Sequence, residues 1–244
     1  MRALALSSLV ATLGCTVPPG APAPEPMTLR ARYHLPPITS LDARRTALVL
    51  VDFQQEFFTG RLRLPGGTRA LDHARHLLAW ARAAHVTVVH VRNLTRPGSP
   101  LFAEGGSTSA FAPALCPRSD ELVVTKPTGG GFTKTELDAL LRARGIDTLV
   151  VAGLMTHLAV AMTAQDASVL GYRVVVAADA TATRDLPDTA GGPPVAHGEL
   201  HRAALAAIAD RFADVQTTAQ VLVLPLAPAP TASAALDATS PRSW

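Results

Sequence analysis

The chain has 244 residues, 48% of them apolar, and its 22 basic against 19 acidic residues leave a formal charge of +3. That length favours one domain with one large core, and basic residues scattered as single arginines rather than gathered in a stripe argue against nucleic acid as the partner. The two cysteines, Cys15 and Cys116, are too few for a disulfide framework and have no paired Cys or His beside them to make a zinc site.

Met1 and Arg2 are followed by an apolar run from Ala3 to Gly14 and then Cys15, the shape of a short secretion signal. A run of about a dozen residues cannot span a bilayer. Thr12-Leu13-Gly14-Cys15 resembles a lipoprotein cleavage box in which Cys15 becomes the lipidated N-terminus, with Leu13 one place later than usual. The segment implies export or a lipid anchor, and that anchor is the one membrane partner expected. A start at Met27 would instead make the protein cytoplasmic. Residues 16–26 hold five prolines and little that could enter a core, so residues 1–45 read as a signal-like segment and linker. Residues 223–244, rich in Pro, Ala, Ser and Thr, read as a disordered tail. The domain is expected over 46–222, without internal repeats.

Within it, apolar and β-branched runs recur at 46–51 (TALVLV), 86–91 (VTVVHV), 121–124 (ELVV), 147–152 (DTLVVA) and 173–178 (RVVVAA), with a weaker one at 214–217. They are apolar on both faces, as in a buried parallel sheet. Helical patterns lie between them, near 68–84, 133–144, 157–170 and 198–212. In the second of these, Thr133 and Glu136 make a capping box, Leu137, Leu140 and Leu141 an apolar face, and Gly145 an end. Strands alternating with helices predict right-handed βαβ units, hence an α/β fold: a three-layer, doubly wound parallel sheet.

Ligands in such folds bind at the carboxyl ends of the strands. Three features fall there: Asp52 after the first strand (LVLVDFQQEFF), Lys126 after the third (LVVTKPTGGGF), and Gly153–Ala159 after the fourth (VVAGLMTHLAV). A carboxylate beside an ammonium group can move protons, while a helix N-terminus holds developing negative charge. Either residue alone could be a turn aspartate or a solvated lysine; their coincidence at strand ends is what suggests a site. His157 and His90 are possible acids, bases or substrate contacts, and equally possible structural hydrogen-bonders. Thr156 at a helix start reads as an N-cap. Thr163 lies nearby, and Cys116 has nothing basic beside it in sequence to lower its pKa.

From about residue 46 to 222 these blocks, with DASVLGYRVVVAADATATRD (166–185) and HRAALAAIADRFADV (201–215), resemble the isochorismatase-like (cysteine hydrolase) superfamily. The resemblance implies a Rossmann-like fold and hydrolysis of a small molecule at an amide or related bond, with no cofactor. In that family an aspartate is a general base, a lysine stabilises charge, and a cysteine attacks the substrate carbonyl. Asp52 and Lys126 stand at the first two positions, and Ala159 stands where the cysteine belongs. A methyl group can neither ionise nor attack. The family's cis peptide before the Thr position corresponds to Leu154-Met155, so the backbone N–H groups of Met155 and Ala159 are the expected oxyanion hole. Phe132 is a possible substrate contact, and the run Gly129-Gly130-Gly131 before it departs from the family pattern, suggesting a looser loop or close approach of backbone to a ligand.

The nicotinamidase branch binds a metal through an Asp and clustered histidines after the second strand. Here that region reads HVRNLTRPGSPLF (90–102), so no metal is expected. Isochorismatases proper carry glycine at the nucleophile position and protonate a vinyl ether, but their substrate-holding glutamine and arginine motif is not recognisable. Three readings of Ala159 stay open: an acid–base or weakly active hydrolase, a non-catalytic binder of a small molecule, and an engineered Cys-to-Ala exchange in an active enzyme. The resemblance also implies a homo-oligomer.

Overall fold

In the computed structural model, which describes residues 25–227, the β-branched runs become six strands of one wholly parallel sheet. They are β1 (Thr46–Val51), β2 (Thr87–Asn93), β3 (Leu122–Lys126), β4 (Thr148–Leu154), β5 (Arg173–Ala182) and β6 (Asp214–Gln216). Their spatial order is β3-β2-β1-β4-β5-β6. Every residue of β1 and β4 is buried, as runs apolar on both faces require at the centre of a parallel sheet. The edge strand β3 departs from that pattern: Val124 and Lys126 are buried while Val123 and Thr125 are exposed, because only one of its faces is covered.

The described residues form six helices, α1 (Leu29–Arg32), α2 (Gly67–Ala83), α3 (Leu137–Arg142), α4 (Ala161–Val169), α5 (His197–Arg211) and α6 (Thr218–Leu222); the last five cover the sheet, while α1 buries no residue of its own and lies against α5. On one face α2 and α6 pack against Leu48, Leu50 and Val175; on the other α3, α4 and α5 pack against Ala47, Val49 and Val51. Successive strand residues therefore feed opposite cores, as the period of two dictates. The buried stripe of α2, Ala70, Ala74, Leu77, Leu78 and Ala81, follows helical spacing.

Two local expectations change. The capping box at Thr133 and Glu136 does not form: α3 starts at Leu137 with no side-chain cap from Glu136. The Thr133 hydroxyl instead accepts the Gly130 N–H at 3.1 Å, and the Thr135 hydroxyl accepts that of Leu137 at 3.3 Å. The glycine loop thus takes the oxygen that a helix cap would have used. Part of the expected linker and tail also belongs to the folded unit. Arg30 pairs with Asp214 at 2.6 Å, the Ile38 N–H donates to the same carboxylate, and Leu41 bridges Leu226. Ile38 and Leu41, expected in the linker, are 4% and 2% exposed and join the core cluster, and β6 offers an acceptor that sequence does not reveal. The signal-like segment with Cys15, and residues 228–244, lie outside the described residues.

The strand order reverses at β1, whose two neighbours, β2 and β4, lead in opposite directions across the sheet. A crevice opens at such a switch point, outside the carboxyl ends of the strands.

Candidate active site at the carboxyl edge of the sheet

Asp52 is the first residue past β1 and stands at the switch point. Its N–H donates to the Val91 carbonyl at 2.9 Å, its own carbonyl accepts the Gln54 N–H at 2.7 Å, and its φ of +55° turns the chain off the sheet. Lys126, the last residue of β3, reaches past the end of β2 to place Nζ 2.7 Å from Asp52 Oδ2, with side-chain exposures of 3% and 4%. The second carboxylate oxygen, Oδ1, is buried and has no partner among the described residues. Burial raises the Asp52 pKa to about 6 despite the opposing charge and hydrogen bond of Lys126. One ammonium contact leaves half of the carboxylate desolvated and unpaired, so burial wins.

The rest of the VDFQQEFF segment holds this geometry. The Gln54 side chain accepts the Asn93 N–H and donates to the carbonyls of Asn93 and Ser109, each at 2.8 Å. Glu56 accepts the Arg61 N–H and the Thr108 hydroxyl, both at 2.6 Å. Sequence reasoning does not single out Gln54 and Glu56, because nothing in VDFQQEFF sets them apart from the neighbouring Gln55; only their burial does.

On the far side of the switch point, the register that sets Val51 against Gly153 brings the turn after β4 alongside Asp52. The Leu154–Met155 peptide is cis, and Thr156–Val160 form a π turn leading into α4. Thr156 is not the N-cap, a place held by Met155. Its hydroxyl shares a 2.9 Å hydrogen bond with His201 Nδ1 on α5, a tertiary partner that overrides the local capping preference. His157 Nδ1 is hydrogen-bonded to the Thr183 hydroxyl past β5. Ala159 is 4% exposed and shares a core cluster with Val51. Its carbonyl accepts the Thr163 hydroxyl at 2.6 Å, which in turn accepts the Gly131 N–H at 2.8 Å. Thr163 is a buried brace and no free nucleophile.

That brace explains the glycine run. A Cβ on Gly130 would lie 2.9 Å from both Met162 Cβ and the Thr163 nitrogen, so the glycines let the loop press against α4. The loop is tight rather than loose, and the close approach is to helix backbone.

The remaining candidates lie elsewhere. His90 Nε2 bonds Glu121 Oε2 at 2.8 Å, toward the amino end of β3. The Phe132 ring packs on Tyr172, 5.9 Å between centroids, under α3. Cys116 is exposed. Cavities of about 330 and 340 Å³ lie between residues 28–37 and 209–216, and beside Arg82 and Arg118; neither includes Asp52. Among the described residues no three His, Cys, Asp or Glu side chains gather as metal ligands.

Comparison with known proteins adds independent support. An isochorismatase domain matches residues 46–220. A secreted isochorismatase effector of Verticillium dahliae is 34% identical over 185 residues, covering 76% of this chain and 94% of its own. A streptothricin hydrolase of Streptomyces noursei is 40% identical over 191 residues, 76% of this chain and 68% of its own. The crystal structure of an isochorismatase from Pseudomonas putida superimposes with a TM-score of 0.72 at 32% identity, covering 80% and 98%. A match that begins at the first residue of β1 and runs into α6, carried on the same α/β fold, means that this chain belongs to the isochorismatase family.

Proposed function

We propose that this chain hydrolyses a small amide, or a related C–N bond, by acid–base chemistry at Asp52 and Lys126 rather than through a covalent thiol intermediate. The observation that carries the reading is the buried Asp52–Lys126 pair with Oδ1 left open and a pKa near 6, a group poised to exchange protons near neutrality. The identity with a streptothricin hydrolase supports hydrolysis as the reaction class.

In the proposed reaction Asp52 takes a proton from water as the water oxygen bonds to the substrate carbonyl carbon. The carbonyl π electrons move onto its oxygen, held by the N–H groups of Met155 and Ala159. The C–N bond then breaks, and Asp52 returns the proton to the departing nitrogen, giving a carboxylic acid and an amine. Lys126 keeps Asp52 in place and offsets the developing negative charge. Ala159 supplies backbone only.

A second reading, a ligand-binding relative without turnover, rests on the methyl group of Ala159 at the nucleophile position. The two are separated by screening the wild type against small amides, imides and vinyl ethers, beside Ala159→Cys and Ala159→Cys/Asp52→Asn. Wild-type turnover that disappears in Asp52→Asn supports acid–base hydrolysis. No wild-type turnover, with a new thiol in Ala159→Cys that iodoacetamide labels no faster near neutral pH than an ordinary thiol of pKa about 8.5, leaves binding as the function. Fast labelling that slows in the Asp52→Asn background shows a pocket still shaped for catalysis.

A further inference from the structure

Acid–base chemistry at Asp52 and Lys126 leaves the turn between Met155 and Ala159 to be held by other groups. No side chain caps the π turn at its start. Its first two side chains are instead tied to different parts of the fold: His157 to the Thr183 hydroxyl past β5, and Thr156 to His201 Nδ1 on α5 at 2.9 Å. Thr156 is fully buried and stands between the two residues whose N–H groups would face the oxyanion. Among the described residues its hydroxyl has His201 as its one hydrogen-bond partner. His201 is not a core residue. The single buried residue of α5 is Ile208, about two turns farther along, and the first half of the helix, which buries no side chain, is reached by polar ties: His201 to Thr156 and His197 to Asp185. Burial first, and then Arg69 and His197, hold the His201 pKa below its ordinary value, so the ring is neutral at neutral pH and the bond joins two uncharged groups.

An uncharged tie of this kind brings no charge to the site; what it fixes is direction. A donor serves an oxyanion only when it points at the place the oxygen will occupy, so a small shift of the turn costs rate while the core stays intact. We infer that His201 is a positioning residue of the site: through the Thr156 hydroxyl it holds the turn so that the Met155 and Ala159 N–H groups converge on the substrate oxygen. This rests on the oxyanion hole proposed above and adds the side chain that sets its aim.

Two reagents test this on the full chain carrying Ala159→Cys, each followed by mass spectrometry of the peptide that holds the new thiol. In acylation by p-nitrophenyl acetate the thiolate sulfur bonds the carbonyl carbon, the carbonyl π electrons move onto oxygen, and their return expels p-nitrophenolate. In alkylation by iodoacetamide the sulfur displaces iodide and no oxyanion forms. The ratio of the two rates, acylation over alkylation, therefore reads the oxyanion hole separately from the reactivity of the thiol. In Ala159→Cys this ratio is expected to exceed that of N-acetylcysteine at least tenfold; a ratio no higher than that of N-acetylcysteine overturns the oxyanion hole, and the inference with it. With the hole present, adding His201→Leu should lower the ratio at least tenfold, with the iodoacetamide rate changed by less than twofold. His201→Asn, whose amide can offer a donor or an acceptor where Nδ1 stands, should restore the ratio to within about threefold. An unchanged ratio in His201→Leu, or no recovery in His201→Asn, overturns the role of His201 and leaves the hole standing. A fall of both rates together overturns it in favour of a tie that only supports the fold. Thr156→Val leaves His201 in place and guards against a histidine variant that fails to fold: it should lower the ratio at least tenfold by itself, and an unchanged ratio overturns the inference. The two substitutions combined should lower it no further than either alone, and losses that multiply overturn the coupling.

Discussion

The two ends of the sheet each hold a buried carboxylate facing cations, and they treat it in opposite ways. At the amino end, burial alone would raise the Glu121 carboxyl, but Arg82, the Arg118 N–H and His90 all bond it, and together they hold its pKa down to about 2. At the carboxyl end Asp52 has Lys126 on one oxygen and nothing on the other, and its pKa rises to about 6. Asp52 is the more deeply buried of the two and has the fewer donors. A carboxylate whose lone pairs are filled stays charged and acts as a structural tie, whereas one left half-filled can take up and release a proton. Charged residues in a core therefore do not mark a site unless their hydrogen-bonding capacity is also left open.

The strongest test of this contrast is Asp52→Asn, which keeps shape and removes titration. Hydrolysis of whichever amide the wild type turns over should fall by about 10²- to 10⁴-fold, measured as kcat/KM. Glu121→Gln should do the reverse, leaving kcat/KM within twofold while unfolding in urea shows a loss of about 2–3 kcal/mol, because Arg82 and His90 lose their charged partner. A large rate effect at Glu121 would erase the distinction between the two ends.

Acidity separates the ends a second way. Turnover should rise with pH as Asp52 ionises near 6, and a rate flat from pH 5 to 7 would contradict its role as base. Stability responds with opposite signs. Glu121, depressed in the fold, contributes stability that is present above its ordinary pKa of 4.5 and lost as pH falls toward about 2. Asp52, raised in the fold, binds its proton more tightly when folded, so its contribution declines as pH climbs from its ordinary 3.8 to about 6. Urea midpoints across pH 2–7 should show a loss at the acid end that is reduced in Glu121→Gln.

The smallest expected effect is at His90. His90→Gln should cost about 1 kcal/mol, the net worth of one hydrogen bond, with no change in rate. A rate loss there would return His90 to the site from which its bond to Glu121 removes it.

Sequence alone carried the order of strands and helices, the parallel sheet and the edge at which Asp52, Lys126 and the turn before Ala159 would meet, since hydrophobic period and the handedness of βαβ units are properties of the chain itself. It also carried the family, which is a matter of residue identity. It did not carry the partners. Thr156 reads as a cap and is held by His201, 45 residues away; His90 reads equally as a site residue and as a structural hydrogen-bonder, and is bonded to Glu121, 31 residues away. The glycine run reads as a looser loop or a close approach of backbone to a ligand, and is packed against α4. Whether Asp52 keeps an open oxygen and whether Glu121 is saturated are decided by which donors and acceptors converge from distant segments. No local pattern encodes that convergence; it exists only once the chain has closed around its core.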